Sequence, residues 1–221
     1  MREGSAAMST TSETGGGMAE RWLPLSGLVF VVLAVAGIVG IGGDTPDSEA
    51  SAEKVSSFYA AHDTRQIVGG FVLIAAVPFL IFFGICLAQA VWPREAGRRP
   101  FWPLVLAAGS VLAAGAFVLA AFTHIALADA AGTVTASTSQ GLNVLDGNTW
   151  VAFNGSLGVM MLGAAGSLIS RAGGYRILAW IALAAGIALF IPYADFIALI
   201  VTGLWLIAAS VMLFRRAPEP A

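Results

Sequence analysis

Three observations predict an all-α, polytopic membrane fold with six transmembrane helices. Apolar residues make up 58% of the chain and charged residues only 11%, where a soluble domain carries about 25% charged residues. Mean hydropathy is +0.85. The apolar residues gather into six stretches, each close to the roughly 20 residues that cross about 30 Å of hydrocarbon at about 1.5 Å per residue. This composition excludes a water-soluble globule, a disordered chain and a nucleic-acid binder, and makes the lipid bilayer the first partner.

The stretches run from Trp22 to Gly42, Ile67 to Trp92, Pro103 to Ala128, Trp150 to Ser170, Tyr175 to Ile191 and Phe196 to Phe214. Only Pro192, Tyr193, Ala194 and Asp195 separate the last two; proline ends a helix, so a tight hairpin is expected there. Residues 1–20 are small, polar and glycine-rich, and read as a disordered cytoplasmic tail. The membrane pattern starts at Arg21, which leaves Met8 and Met18 as alternative starts, and the first apolar stretch is longer than a signal-peptide core, so an uncleaved helix is expected. Residues 21–216 then form the transmembrane domain and 217–221 a short cytoplasmic tail.

Orientation follows from the basic residues, because positively charged loops stay on the cytoplasmic side. Nine of the 11 fall in alternate segments: Arg2, Arg21, Arg94, Arg98, Arg99, Arg171, Arg176, Arg215 and Arg216. The opposite segments hold Lys54 and Arg65 against Asp44, Asp47, Glu49, Glu53, Asp63, Asp129, Asp146 and Asp195. Both termini are therefore expected in the cytoplasm, and the outer side is acidic. Arginine outnumbers lysine ten to one in an alanine- and glycine-rich chain, a composition typical of GC-rich bacterial genomes, so a bacterial cytoplasmic membrane is the expected location.

Between the first two stretches, Val55, Phe58, Tyr59 and His62 recur at helical spacing, which predicts a short amphipathic helix on the outer surface leading into the second membrane helix. Pro46, with Asp47 and Glu49, suits the start of such a helix. The run GDTPDSEASAEKVSSFYAAHDTRQI, set between a first apolar helix and a second one ending in an arginine-rich loop, resembles a group of uncharacterised six-helix membrane proteins common in actinobacteria. The resemblance implies the six-helix fold and carries no activity or catalytic residues with it.

Small residues four apart mark faces where membrane helices approach closely. Ala36 with Gly40, Gly109 with Ala113, Gly163 with Ser167 and Ala182 with Gly186 fit this spacing. Such faces serve packing within the chain or contact with a second copy or a membrane partner. Pro78 in the second stretch removes a backbone donor, so a kink is expected there.

The predicted spans hold no acidic or basic side chain deep in the membrane, which argues against proton- or ion-coupled transport. Lys54, the only lysine, lies in a loop, which excludes a retinal Schiff base. One cysteine, Cys86, rules out an intrachain disulfide. The polar exceptions gather at the outer boundary: His124, Asn154, Asp129, Ser156, Asp195 and His62. Counted from the expected hairpin between the third and fourth helices, His124 and Asn154 lie at one depth, and His124 would clamp the helices by pairing with Asn154 or with a backbone carbonyl; an outward-facing binding pocket is the alternative. A Ser156–His124 dyad, haem ligation by His62 and His124, and a metal site from His62, His124 and Asp129 all lack the supporting pattern. No cofactor and no catalytic residue is therefore expected. The leading expectation is a structural or accessory membrane component binding lipid or a partner, and the runner-up a small-solute transporter or binding protein.

Overall fold

The computed structural model describes residues 21–93, 100–170 and 175–215. The tails at 1–20 and 217–221 and the arginine-rich loop at 94–99 lie outside them. Among the described residues the fold is all-α, with five helices long and apolar enough to cross a membrane and one shorter apolar helix. They are α1 (Leu23–Gly42), α2 (Ala52–Ala90), α3 (Phe101–Ala130), α4 (Ala136–Ile169), α5 (Arg176–Ala188) and α6 (Asp195–Phe214).

α1 opens as a 3₁₀ turn at Leu23–Leu25, becomes α-helical over Ser26–Val35 and widens to a π-helix over Ala36–Gly42. The π segment, with its i→i+5 hydrogen bonds, rotates the contact face. Gly37 and Gly42, five apart, are the buried residues there, whereas Gly40 is exposed with no atom within 4 Å of a Cβ built on it. The expected Ala36–Gly40 face is thus replaced by Gly37, against Leu73 and the Gly69 carbonyl of α2. Gly43 ends the helix at φ +67°. There the Arg65 side chain donates to the Ile41 carbonyl, satisfying one of the free acceptors at a helix C-terminus.

The expected outer helix leads directly into the second membrane helix across a break at His62, and the two are described together as α2. α2 starts at an N-cap, Ser51, whose hydroxyl accepts from the Lys54 amide at 3.3 Å, and runs about 58 Å over 39 residues. Its dihedrals break at His62 (φ −127°, ψ 18°), while Pro78 lies inside the helix. The break in dihedrals lies four turns before Pro78, where a kink was expected from sequence. His62 compensates by stacking on Phe58 at 4.6 Å and hydrogen-bonding the Phe58 carbonyl at 2.8 Å.

α4 begins at Ala136 instead of Trp150, capped by the Thr135 hydroxyl on the Thr138 amide at 3.3 Å. The added turns carry Ser139, Asn143, Asp146 and Thr149, all buried, in line with Phe153. This is a helical stripe built from polar residues. α5 is shorter than expected: its 13 residues reach about 20 Å, and the chain tightens through i→i+3 bonds from Phe190 to Ile187 and from Ile191 to Ala188 before Pro192.

α3 and α4 form the central antiparallel hairpin. A Cβ at Gly109 would strike the Met160 backbone, and one at Gly163 the Leu106 backbone, so the two helices touch main chain to main chain. Ala113 and Ser167 are buried on the same two helices, and Ser167 hydrogen-bonds the Gly163 carbonyl at 2.7 Å. On α5, Ala182 and Gly186 are buried; Gly186 faces Leu162, and Gly158 of α4 faces the Phe190 ring. The main core joins Phe30, Leu80, Phe83, Phe117, Met160 and Trp205. A second, smaller core at the acidic end joins Ala50, Val55, Tyr59, Leu127 and Ala131, where α2, α3 and α4 extend beyond their most apolar stretches.

Candidate functional site

The acidic end holds a polar cluster shared by α2, α3 and α4. α3 contributes Thr123 and His124, α2 contributes Gln66 one turn beyond the His62 break, and α4 contributes Asp146 from its polar stripe. The His124 ring lies between two acceptors. Its Nδ1 is 3.1 Å from Asp146 Oδ2 and its Nε2 is 2.8 Å from Gln66 Oε1. Gln66 is oriented by donating through Nε2 to the Gly42 carbonyl at 2.9 Å, so Oε1 must face the ring. Thr123 Oγ1 sits 3.1 Å from Asp146 Oδ1.

Gln66 Oε1 only accepts, so His124 Nε2 donates to it. Nδ1 then meets the Asp146 carboxyl group, and both side chains are largely buried, 16% and 12% exposed.

The Tyr59 ring stands edge-on to His124 at 5.8 Å. Its hydroxyl is buried beside Thr45 without a hydrogen bond of ordinary geometry. A cavity of about 160 Å³ opens against the cluster, lined by Thr45, Gly42, Gly43, Asp146, His124 and Trp150 among others.

The remaining outer-boundary residues are placed apart from this cluster. Asn154 faces Asp195 and not His124: Asn154 Nδ2 donates to Asp195 Oδ2 at 3.0 Å, tying α4 to the start of α6, where Asp195 Oδ1 also accepts from the Phe196 amide at 3.0 Å. The expected His124–Asn154 pair is thereby replaced by two separate contacts, because α4 starts earlier and the hairpin register brings Asp146 opposite His124. Ser156 is half-buried two residues beyond Asn154, Asp129 is exposed, and His62 is held within its own helix. Among the described residues no three His, Cys, Asp or Glu side chains meet in a metal-binding group.

Gln66, Asp146 and Thr123 carry the cluster and were not singled out from sequence as partners. For Asp146 the signal was there: Ser139, Asn143, Asp146 and Thr149 repeat at helical spacing. Because Asn154 lies about 12 Å along α4 from Asp146, His124→Ala and Asn154→Ala should lower stability additively, within about 0.5 kcal/mol in a double-mutant cycle. A clear deviation from additivity in detergent unfolding would show that the two contacts are coupled.

Compared with family models, curated proteins and solved structures, the chain matches none.

Proposed function

We propose that this chain is a six-span protein of a bacterial cytoplasmic membrane, both termini cytoplasmic, acting as a non-catalytic accessory component that binds lipid or a membrane partner. The likeness to six-helix actinobacterial membrane proteins belongs to the same reading. One observation carries it: His124, Asp146, Gln66 and Thr123 satisfy one another across three helices. A catalytic base or proton carrier must keep a group free to meet its substrate, whereas a closed network fixes helix positions. The sixth crossing is supplied by α5 with its turns to Ile191.

A second reading, binding or passage of a small solute, is favoured by the cavity of about 160 Å³ beside His124 and Asp146. Native mass spectrometry of the full chain in mild detergent separates the two. Retained lipid, or a partner or second copy, is expected; a bare monomer whose mass shifts with an added small solute would favour passage instead.

Reporter fusions test the membrane arrangement independently. Fusions after residues 20, 97, 173 and 216 should read cytoplasmic, and those after 50, 138 and 194 external, because nine of the 11 basic residues lie in the first set of segments. An external signal at 97, beside Arg94, Arg98 and Arg99, would overturn the six-span arrangement.

A further inference from the structure

The strap between α1 and α2 lies along the polar stripe of α4. Gln140 donates through Nε2 to the Ala50 carbonyl at 2.9 Å, and Asn143 through Nδ2 to the Asp47 carbonyl at 2.9 Å. Donors and acceptors are each three residues apart, so one turn of α4 grips one short span of the strap in the antiparallel sense. Further along, a Cβ at Gly147 would lie 2.8 Å from the Ser48 hydroxyl. Thr45, exposed to solvent, joins Gly42 and Gly43 in lining the cavity of about 160 Å³ at His124 and Asp146. This part of the strap is therefore a wall between the cavity and the outside.

The two ends of the strap are held differently. On the α1 side, Arg65 and Gln66 of α2 donate to the Ile41 and Gly42 carbonyls and fix the end of the helix. Gly43 follows at φ +67° and ψ −160°, a conformation open to glycine and costly for other residues; hinges sit at such element-terminal positions. Beyond it Asp44, Thr45, Asp47, Ser48 and Glu49 are exposed, Pro46 is half-buried, and Ala50 alone is buried. Apolar burial thus contributes little to holding this span down, and the two amide side chains of α4 are its main fastening. Segments with few buried apolar contacts open locally at far lower cost than the whole fold.

We propose that residues 44–50 are a hinged lid over this cavity. Gly43 is the pivot, Gln140 and Asn143 are the latch, and opening connects His124 and Asp146 to the solvent at the acidic end. Such a lid gives the cavity of the solute reading its entrance, and rests on that reading only for what enters. Mass shifts with an added solute judge the occupant, and the labelling below judges the lid.

The test uses the purified full chain in mild detergent, with Cys86→Ser to remove the native thiol and Ala120→Cys as reporter, because Ala120 lines the cavity and is 3% exposed. The probe is a charged, water-soluble methanethiosulfonate, and its addition at residue 120 is followed by mass spectrometry. Gln140→Met with Asn143→Leu keeps the shapes and removes both donors. Labelling should then rise about tenfold or more, since each lost hydrogen bond is worth roughly two- to tenfold in the open fraction. Gln140→Met alone, at a half-buried position, is the milder variant should the pair fail to fold, and should give about twofold or more. The opposite change locks the strap. Ser48→Cys with Gly147→Cys sets two thiols within reach of a disulfide; its oxidation should slow labelling at 120 about tenfold, and a phosphine reductant should restore it. Two other reporters bracket the result: Ala209→Cys in the main core should stay unlabelled, and Gly132→Cys in the exposed α3–α4 turn should label alike in every variant. Labelling at 120 unchanged by both the unlatched and the locked forms would overturn the lid. So would labelling at 120 and 209 rising together, which is the bundle unfolding as a whole.

Discussion

Asp146→Ala is expected to cost the protein about 3 kcal/mol, the low end of the 3–5 kcal/mol seen when one member of a buried pair is removed. The change leaves His124 Nδ1 without its partner in a site where both side chains of the pair are less than one-fifth exposed, while the Thr123 hydroxyl keeps the Leu119 and Ala120 carbonyls. A lone interhelical hydrogen bond in a membrane is worth less, about 0.6–1.7 kcal/mol, so the magnitude distinguishes an interlocked cluster from an isolated contact. Asp146→Asn is the informative companion. Its amide can donate to a neutral ring at Nδ1, so it should retain most of the stability and cost about 1 kcal/mol. A double-mutant cycle between His124→Ala and Asp146→Ala should show a coupling of about 1–3 kcal/mol. Unfolding in mild detergent measures all of these, and a loss below about 1 kcal/mol for Asp146→Ala would mean that water already solvates the cluster.

The spans were legible because hydrocarbon imposes length and apolarity together. The first, third and sixth stretches match α1, α3 and α6 to within two residues at each end, as Leu23–Gly42, Phe101–Ala130 and Asp195–Phe214 show. The reading failed where helices continue past the apolar zone. Ala52 to Gln66 and Ala136 to Thr149 are helical although many of their residues are polar, because the acidic ends of α2, α3 and α4 bury one another: Tyr59 and Leu127 are fully buried there, and Asn143 donates to the Asp47 carbonyl at 2.9 Å. A hydropathy criterion cannot see a core made of Ser139, Asn143 and Asp146.

The misassigned partner of His124 has the same origin. Depth counted from an assumed turn near residues 129–149 sets Asn154 opposite His124. The turn is only Ala131–Thr135, and the contacts of Gly109 with Met160 and of Gly163 with Leu106 fix a register in which position 124 meets 145 or 146. At Gly40 the failure was one of period: a 3.6-residue repeat was assumed where the chain forms a π turn, and the buried glycines are five apart.

Gly163→Leu is expected to be the most damaging of the packing changes. The α3–α4 hairpin is the axis on which the other helices pack, and its two backbones are in contact at Gly163 with Leu106 and at Gly109 with Met160. Overfilling a core costs about 1–3 kcal/mol when side chains can shift. Here the obstructing atoms are main chain held in helical hydrogen bonds, so the helices themselves must separate and the loss should reach or exceed the top of that range. Separation would also weaken the cluster nearly five turns away, because His124 and Asp146 sit on the same two helices. Gly109→Leu should behave alike, and Gly109→Ala more mildly. Gly115 and Gly141 supply the control, since a Cβ at either meets no atom within 4 Å; leucine there should shift stability by no more than about 0.5 kcal/mol. If Gly163→Leu unfolds at the same temperature as the parent while Gly115→Leu does not, then the close approach of α3 and α4 is not what holds the bundle, and the register that sets Asp146 against His124 falls with it.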